Sequence, residues 1–406
     1  GQLQEAEISS RKAIELNPNL FNSHFLLGTI LLGQKKPQEA EQPLRKTIEL
    51  NPGFFQAHSA LGGLLGELGN LKEAEISTRK AIELNPDLTD AVFLLSFIQM
   101  MQDDYISGLK NYESRLERKK VKLHVQPKIP RWLGETAKKG EKLLIISEQG
   151  LGDSIHFMRY IPCLREKGYE VIFCAQEQLH PIIKESGIES NPITTQQANQ
   201  VLDGKYCPLL SLPLHLGVNQ NNPIVSEPYI STKSELTAKW KDIFKKEERP
   251  IIGISWQGNP SIERGLVKGR SIALEVFSKL AKTDKFRFLS LQKGFGSKQI
   301  EQCSFKNKFV KSQKLVSSTQ DFLDTAAQIQ NCDLIITTDS CLAHLAGGMG
   351  KTTWVLLKAC LTWRYGLDDT TFWYPSMKLF HQKERGNWDE VMDRISIELE
   401  DFLMNK

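Results

Sequence analysis

The chain is defined first by what it lacks. No apolar run approaches the roughly 18 residues that a membrane span needs. No stretch has the build of a secretory signal. The pattern opens part-way through a repeat, so an upstream segment, any targeting sequence included, is expected before Gly1. Charge of one sign is missing too: 52 Lys and Arg against 48 Asp and Glu leave +4, too little to argue for nucleic acid. Runs such as Arg115-Leu-Glu-Arg-Lys-Lys120 read as solvated helix ends. Seven cysteines (163, 174, 207, 303, 332, 341 and 360) include no Cys-x-x-Cys pair and sit mostly in apolar contexts. They read as buried free thiols in a reducing compartment, and a cytoplasmic setting is expected. No Asp-x-Asp pair offers to hold a metal-bound diphosphate, and no Gly-x-Ser-x-Gly elbow offers a serine nucleophile. Gly150-Leu-Gly152 begins a dinucleotide fingerprint, but Ile155 stands at the third glycine position, which argues against a nicotinamide cofactor. Gly347-Gly-Met-Gly-Lys-Thr352 imitates a P-loop with Leu345 where the first glycine belongs, and it leads into a strand. ATP hydrolysis is disfavoured in the same way.

What is present begins with a repeat. Ala13-Ile-Glu-Leu-Asn-Pro18, Thr47-Ile-Glu-Leu-Asn-Pro52 and Ala81-Ile-Glu-Leu-Asn-Pro86 recur every 34 residues. Small residues at Gly28 and Gly62, and at Ala40 and Ala74, let antiparallel helices approach, and each proline ends the second helix of its pair. This pattern resembles the tetratricopeptide repeat. Two full repeats are expected at 21–54 and 55–88. A degenerate one at 89–120, with Ser96 and Gly108 at the small positions and no closing proline, should cap the array. Residues 1–120 thus form a helical solenoid with a concave face for a protein partner or acceptor, or a plain scaffold.

The rest alternates strand and helix signals. After a linker at 121–128, strands are expected at Leu143–Ser147, Glu170–Ala175, Pro250–Trp256, Phe286–Leu291, Asp333–Thr337 and Thr353–Leu357. A helix near Leu236–Lys246 separates two series, hence domains at 121–235 and 236–406, each a parallel sheet with ligands at the carboxyl ends of its strands. Two loops stand out. Glu148-Gln-Gly-Leu-Gly-Asp153 and Thr338-Asp-Ser-Cys-Leu-Ala-His344 each carry a strand into a helix through small and polar residues, a setting suited to phosphate.

Together with Gly253-Ile-Ser-Trp-Gln-Gly-Asn259, Arg270-Ser-Ile272 and Ser290-Leu-Gln-Lys-Gly294, those loops resemble bacterial proteins that join tetratricopeptide repeats to a glycosyltransferase family 9 domain. That family includes the lipopolysaccharide heptosyltransferases. The arrangement is similar, more distantly, to the protein O-linked N-acetylglucosamine transferases. The resemblance implies a GT-B fold of two Rossmann-like domains, a nucleotide-sugar donor held mainly by the second, and inverting transfer with no metal and no further cofactor. Asp153 matches the family's catalytic aspartate, and would otherwise be an N-cap for a helix at Ser154. His156, three residues on, lies on the same face, either as the base itself or as a partner that orients Asp153.

Departing diphosphate needs donors and cations. The helix N-terminus at Asp339, Ser340, Cys341, Leu342 and Ala343 would provide the first, and Arg270 and Lys293, by position in the family's pattern, the second. Gln257, Gly258 and Asn259 would approach the donor through their backbone, and Gly150 and Gly152 keep the first loop open. His344, inside the helix, reads as structural rather than as a ligand. Aromatic residues over Trp363–Phe380 would stack on base or sugar, or pack between domains. The closing helix, Trp388–Leu403, is expected by analogy to cross onto the first domain. Cys341 departs from the small or hydroxyl residue common in relatives, and a first domain of about 110 residues leaves little acceptor surface. Three functions remain open: transfer to a glycan or other acceptor, transfer to protein Ser or Thr, and a repeat scaffold with an inactive transferase domain.

Overall fold

The structure is a computed structural model that describes residues 2–118, 124–136, 138, 140–224, 228–263, 269–359 and 362–405. It divides into two compact units, Gly1–Lys122 with Ala359–Gly366, and Leu123–Lys358 with Leu367–Lys406. Of the cysteines, Cys360 lies outside the described residues, and the other six are free thiols.

The first unit is helical: α1 (Gln2–Leu16), α2 (Phe21–Gly33), α3 (Pro37–Leu50), α4 (Phe55–Glu67), α5 (Leu71–Leu84), α6 (Thr89–Met101) and α7 (Tyr105–Tyr112). The 34-residue period reappears as repeated contacts. His24 Nε2 meets the Pro18 carbonyl at 2.8 Å, and His58 Nε2 meets that of Pro52 at 2.9 Å. Asn17, Asn51 and Asn85 each accept a backbone N–H two residues on, turning the chain out of one pair into the next. Small positions are demanded by backbone, not taste. A Cβ on Gly62 would lie 3.2 Å from the Ala74 carbonyl, and one on Gly108 3.1 Å from that of Ser96. Lys35, Gly69 and Asp103, again 34 apart, all take positive φ where each pair turns. Only one of the three is a glycine, so the other two hold a strained left-handed turn.

The second unit contains two all-parallel sheets. Its elements run β1 (Lys142–Ile146), α8 (Leu151–Phe157), α9 (Ile161–Glu166), β2 (Glu170–Cys174), α10 (His180–Glu185), α11 (Thr195–Ala198), β3 (Lys205–Pro208), α12 (Leu212–Leu216) and α13 (Ser234–Phe244). Then follow β4 (Ile251–Ser255), β5 (Arg287–Ser290), α14 (Gln313–Ser318), α15 (Phe322–Gln330), β6 (Leu334–Thr338), α16 (Cys341–Gly348), β7 (Thr353–Leu357), β8 (Met377–His381) and α17 (Trp388–Met404). The first sheet has the order β2-β1-β3 and the second β5-β4-β6-β7-β8. Strands β4, β6 and β7 are buried along their whole length, as expected for parallel strands covered on both faces. The chain changes direction across each sheet beside β1 and beside β4. Those are the topological switch points where open parallel sheets take ligands, and the two loops singled out from sequence follow β1 and β6.

Three elements depart from the sequence reading. Strand β3 was hidden among weak signals because it is four residues long with only two fully buried. Strand β8 lay inside the aromatic segment, which splits three ways: Trp363 joins the repeat unit, Trp373 and Tyr374 are buried near α8, and Phe380 enters the core of the second sheet. The closing helix α17 does not cross onto the first sheet. Val391, Met392, Ile395 and Leu399 pack into the core of the second sheet, with Ile252, Ile336 and Leu356 among their neighbours. A stripe at helical spacing states that a helix is buried on one side, but not against what.

Candidate functional site

The loop after β1 is wound tightly. Gln149 sits at φ +61°, a left-handed conformation costly for a side-chain-bearing residue and typical of sites held by their surroundings. Gly150 is the N-cap of α8, and the helix starts at Leu151, ahead of Ser154. Asp153 is therefore the third helical residue rather than the cap, and its Oδ2 accepts the Gly150 N–H at 3.0 Å. This one-sided cap closes the turn and fixes the carboxylate at the mouth of the loop. Gly152 packs against the start of α16. A Cβ there would lie 3.2 Å from Cys341 Cα and 3.2 Å from the His344 ring. The two loops marked in the sequence thus meet, N-terminus of α8 against N-terminus of α16.

At α16 the N-cap Ser340 is extended (φ −146°), and its hydroxyl meets Thr337 Oγ1 at 3.3 Å instead of capping. The Ala343 N–H returns to the Ser340 carbonyl at 3.1 Å, and the first-turn N–H groups of Cys341 and Leu342 lie beside the Cys341 sulfur. Burial pushes the Cys341 thiol up, against the pull of nearby Arg270, so it stays neutral. Asp339 is half-buried just before this turn.

Arg270 is half-buried beside the loop after β4. It lies over Gly258, where a Cβ would come 3.1 Å from Nη2, and 3.7 Å from the Glu263 carboxylate. Gly258 N–H donates to Ser271 Oγ at 3.1 Å. Gln257 is braced on both sides, its N–H and carbonyl by Gln292 and its Oε1 by Gln299 at 3.0 Å. Asn259 is exposed and caps its own turn through Ser261.

Lys293 points away from this cluster. Its Nζ donates to the Val316 carbonyl and, at 3.1 Å, to Thr319 Oγ1, at the C-terminal end of α14, where a cation meets the negative end of the helix. Burial pulls its pKa down to about 8. The unfolded chain holds that proton up to about 10.4, so between these values the unfolded state binds more protons and stability rises with pH. The stability of the wild type relative to Lys293→Met should therefore climb from pH 8 to 10.5. A gap that stays flat in chemical denaturation across that window would show the amine is not so perturbed.

His156 shares a face with Asp153, as its spacing predicts, but its ring is fully buried. It stacks on Phe157 at 4.3 Å and lies 4.8 Å from both His344 and Trp373. In this arrangement the enclosed ring offers no surface to an incoming hydroxyl. His344 Nδ1 lies 3.1 Å from the Tyr374 hydroxyl, and the residue is buried.

Sequence reasoning missed the group that ties these parts together. Arg159, buried, donates to the carbonyls of His156 (2.8 Å) and Trp373 (2.6 Å) and to Tyr229 Oη (3.1 Å). Its guanidinium also lies over the rings of Tyr229 and Tyr374, at 4.6 and 4.2 Å. The signal was one charge inside the apolar stretch Ile155–Leu164. Gln292 was missed too; a buried amide just past a strand end was its mark. Among the described residues no three His, Cys, Asp or Glu side chains gather as a metal site, and no helix is long and apolar enough to cross a membrane.

The first unit is a tetratricopeptide-repeat array: models of that repeat match residues 11–42 and 55–88. Such arrays present surfaces to protein partners. Protein FlbA of Caulobacter vibrioides is 23% identical over 306 residues, covering 67% of this chain and 48% of its own length. The chain thus spans about half the length of that curated relative. Among solved structures, a MamA fragment from Desulfovibrio magneticus is 24% identical with a TM-score of 0.28, over 30% of this chain and 69% of that one. YrrB, described as a repeat protein with an unusual peptide-binding site, is 23% identical with a TM-score of 0.27, over 28% and 58%.

Proposed function

We propose that the second unit is a GT-B glycosyltransferase, of the family 9 kind the motifs resemble, which moves sugar from a nucleotide-sugar to an acceptor recruited by the repeats. The observation that carries this reading is the meeting of the two switch-point loops at Gly152 and Cys341. It brings a carboxylate on one side against helix-terminal N–H donors and Arg270 on the other. In the proposed step the acceptor O–H gives its proton to Asp153 as its oxygen bonds the anomeric carbon. The bond to the diphosphate breaks, and its electron pair leaves with the diphosphate oxygen. The N–H groups of Cys341 and Leu342 and the Arg270 guanidinium would receive that charge. Inversion and independence of metal are what the resemblance adds.

One observation favours a second reading, a repeat scaffold with an inactive transferase unit. Lys293 is committed to the end of α14, which leaves Arg270 to meet a diphosphate without it. The test is calorimetric and thermal-shift titration with UDP-, GDP-, CMP-, dTDP- and ADP-sugars in EDTA. A bound donor stabilises the fold by mass action, and Arg270→Ala should weaken that donor about tenfold or more, a charged hydrogen bond being worth about 1.5–3 kcal/mol. Silence from every donor would favour the scaffold. Whether the acceptor is a glycan or a protein Ser or Thr is then read by offering each to the donor-bound protein.

A further inference from the structure

Beside the loops already described, the turn after β5 exposes one large apolar ring on an immobilised backbone. Phe295 is 55% exposed. An exposed hydrophobe is ordinary on a loose loop, but this loop is held from every side. The buried Gln292 amide donates to the carbonyls of Phe295 and Gln257, both at 2.8 Å. Its oxygen accepts the N–H groups of Trp256 and Gln257 at 3.0 Å. Gly294 and Gly296 flank the ring with φ of +63° and +79°, and a Cβ on Gly296 would strike the Gln257 amide at 2.4 Å. The turn is thus locked to the loop after β4, and its one outward feature is an aromatic face.

Strand order says where that face stands. The sheet runs β5-β4-β6, so the turn carrying Phe295 follows a strand two spacings, about 10 Å, from the one that leads into α16. Arg270 and Gly258 lie on the loop between them. Such a row has the reach of an extended nucleoside diphosphate from phosphate to base.

We propose that Phe295 is the stacking platform for the nucleobase of the donor, with the diphosphate at α16. This assignment rests on the donor reading above and adds the base subsite to it. Stacking on an aromatic ring tolerates any base, so the platform supplies affinity, and base choice falls to other groups.

The experiment is calorimetry of the full chain, as wild type, Phe295→Ala and Phe295→Tyr, against ADP, GDP, UDP, CDP and dTDP, with inorganic pyrophosphate as the base-free probe. The tightest nucleotide should lose about 5- to 150-fold in Phe295→Ala. It should be restored in Phe295→Tyr, while pyrophosphate binds all three proteins alike. A nucleotide bound equally by wild type and Phe295→Ala overturns the stacking role and leaves the donor reading standing. An equal loss of nucleotide and pyrophosphate overturns it as well, since the ring would then be shaping the phosphate end. A wild type that binds neither kind of probe overturns both.

Discussion

Replacing Trp363 by alanine should remove about 3–5 kcal/mol from the repeat unit, the cost of deleting a large buried aromatic and leaving its cavity. Trp363 comes from the segment Ala359–Gly366, far along the chain, yet it belongs to the helical unit. It is 1% exposed and packs 5.5 Å from the ring of Tyr112 and 6.4 Å, edge-on, from that of Phe97. The Tyr105 hydroxyl reaches its carbonyl at 3.4 Å. These partners all lie on α6 and α7, the last helical pair, which ends without a closing proline. A solenoid buries each repeat against the next, and its final repeat needs a substitute. The tryptophan supplies it. Hydrogen exchange on the full chain should show α6 and α7 losing protection in Trp363→Ala while α2 and α3 keep theirs, because opening is local to cooperative segments. Unchanged exchange in α6 and α7 would mean that the ring only rests on the array.

Asp153→Asn should lower transfer by about 10²–10⁴-fold, the usual contribution of a positioned base, with donor affinity nearly unchanged. Asparagine is the informative replacement because its Oδ1 can still accept the Gly150 N–H that the carboxylate accepts now. The loop then keeps its form and only the basicity is lost. Alanine removes both and should also loosen the contact of Gly152 with Cys341. Nucleoside diphosphate release from the donor found by titration measures the rate. Turnover of Asp153→Asn at the wild-type rate would remove Asp153 as the base and leave it the role of holding the Gly150 turn closed.

Much of this was legible before any coordinates. A 34-residue period is a statement about helix pairs, and six of the eight strands among the described residues announced themselves as short apolar runs. The meeting of the loops at Gly152 and Cys341 was foreshadowed by their shared build of strand, small residues and helix. Other features were not readable, and for separate reasons. Lys293 occupies the expected place in the motif, but a flexible four-carbon stem can turn toward any nearby acceptor, and here it turned to Val316. His156 had the right spacing from Asp153, but spacing gives a face and not what covers it. The Arg159 cluster joins residues from positions 156 to 374, and no local pattern records such a meeting.

The repeat unit, the alternation of strands and helices, and the strand-to-helix build of the two glycine- and serine-bearing loops were set by the sequence alone, because period, apolar runs and turn chemistry are local properties of a chain. Folding settled which sheet α17 covers, that Trp363 packs on the last helical pair, that Lys293 faces a helix end, and that the Phe295 ring is left exposed on a braced turn. Each of those depends on which distant surfaces are brought within van der Waals or hydrogen-bond range, and those contacts exist only once the chain has folded.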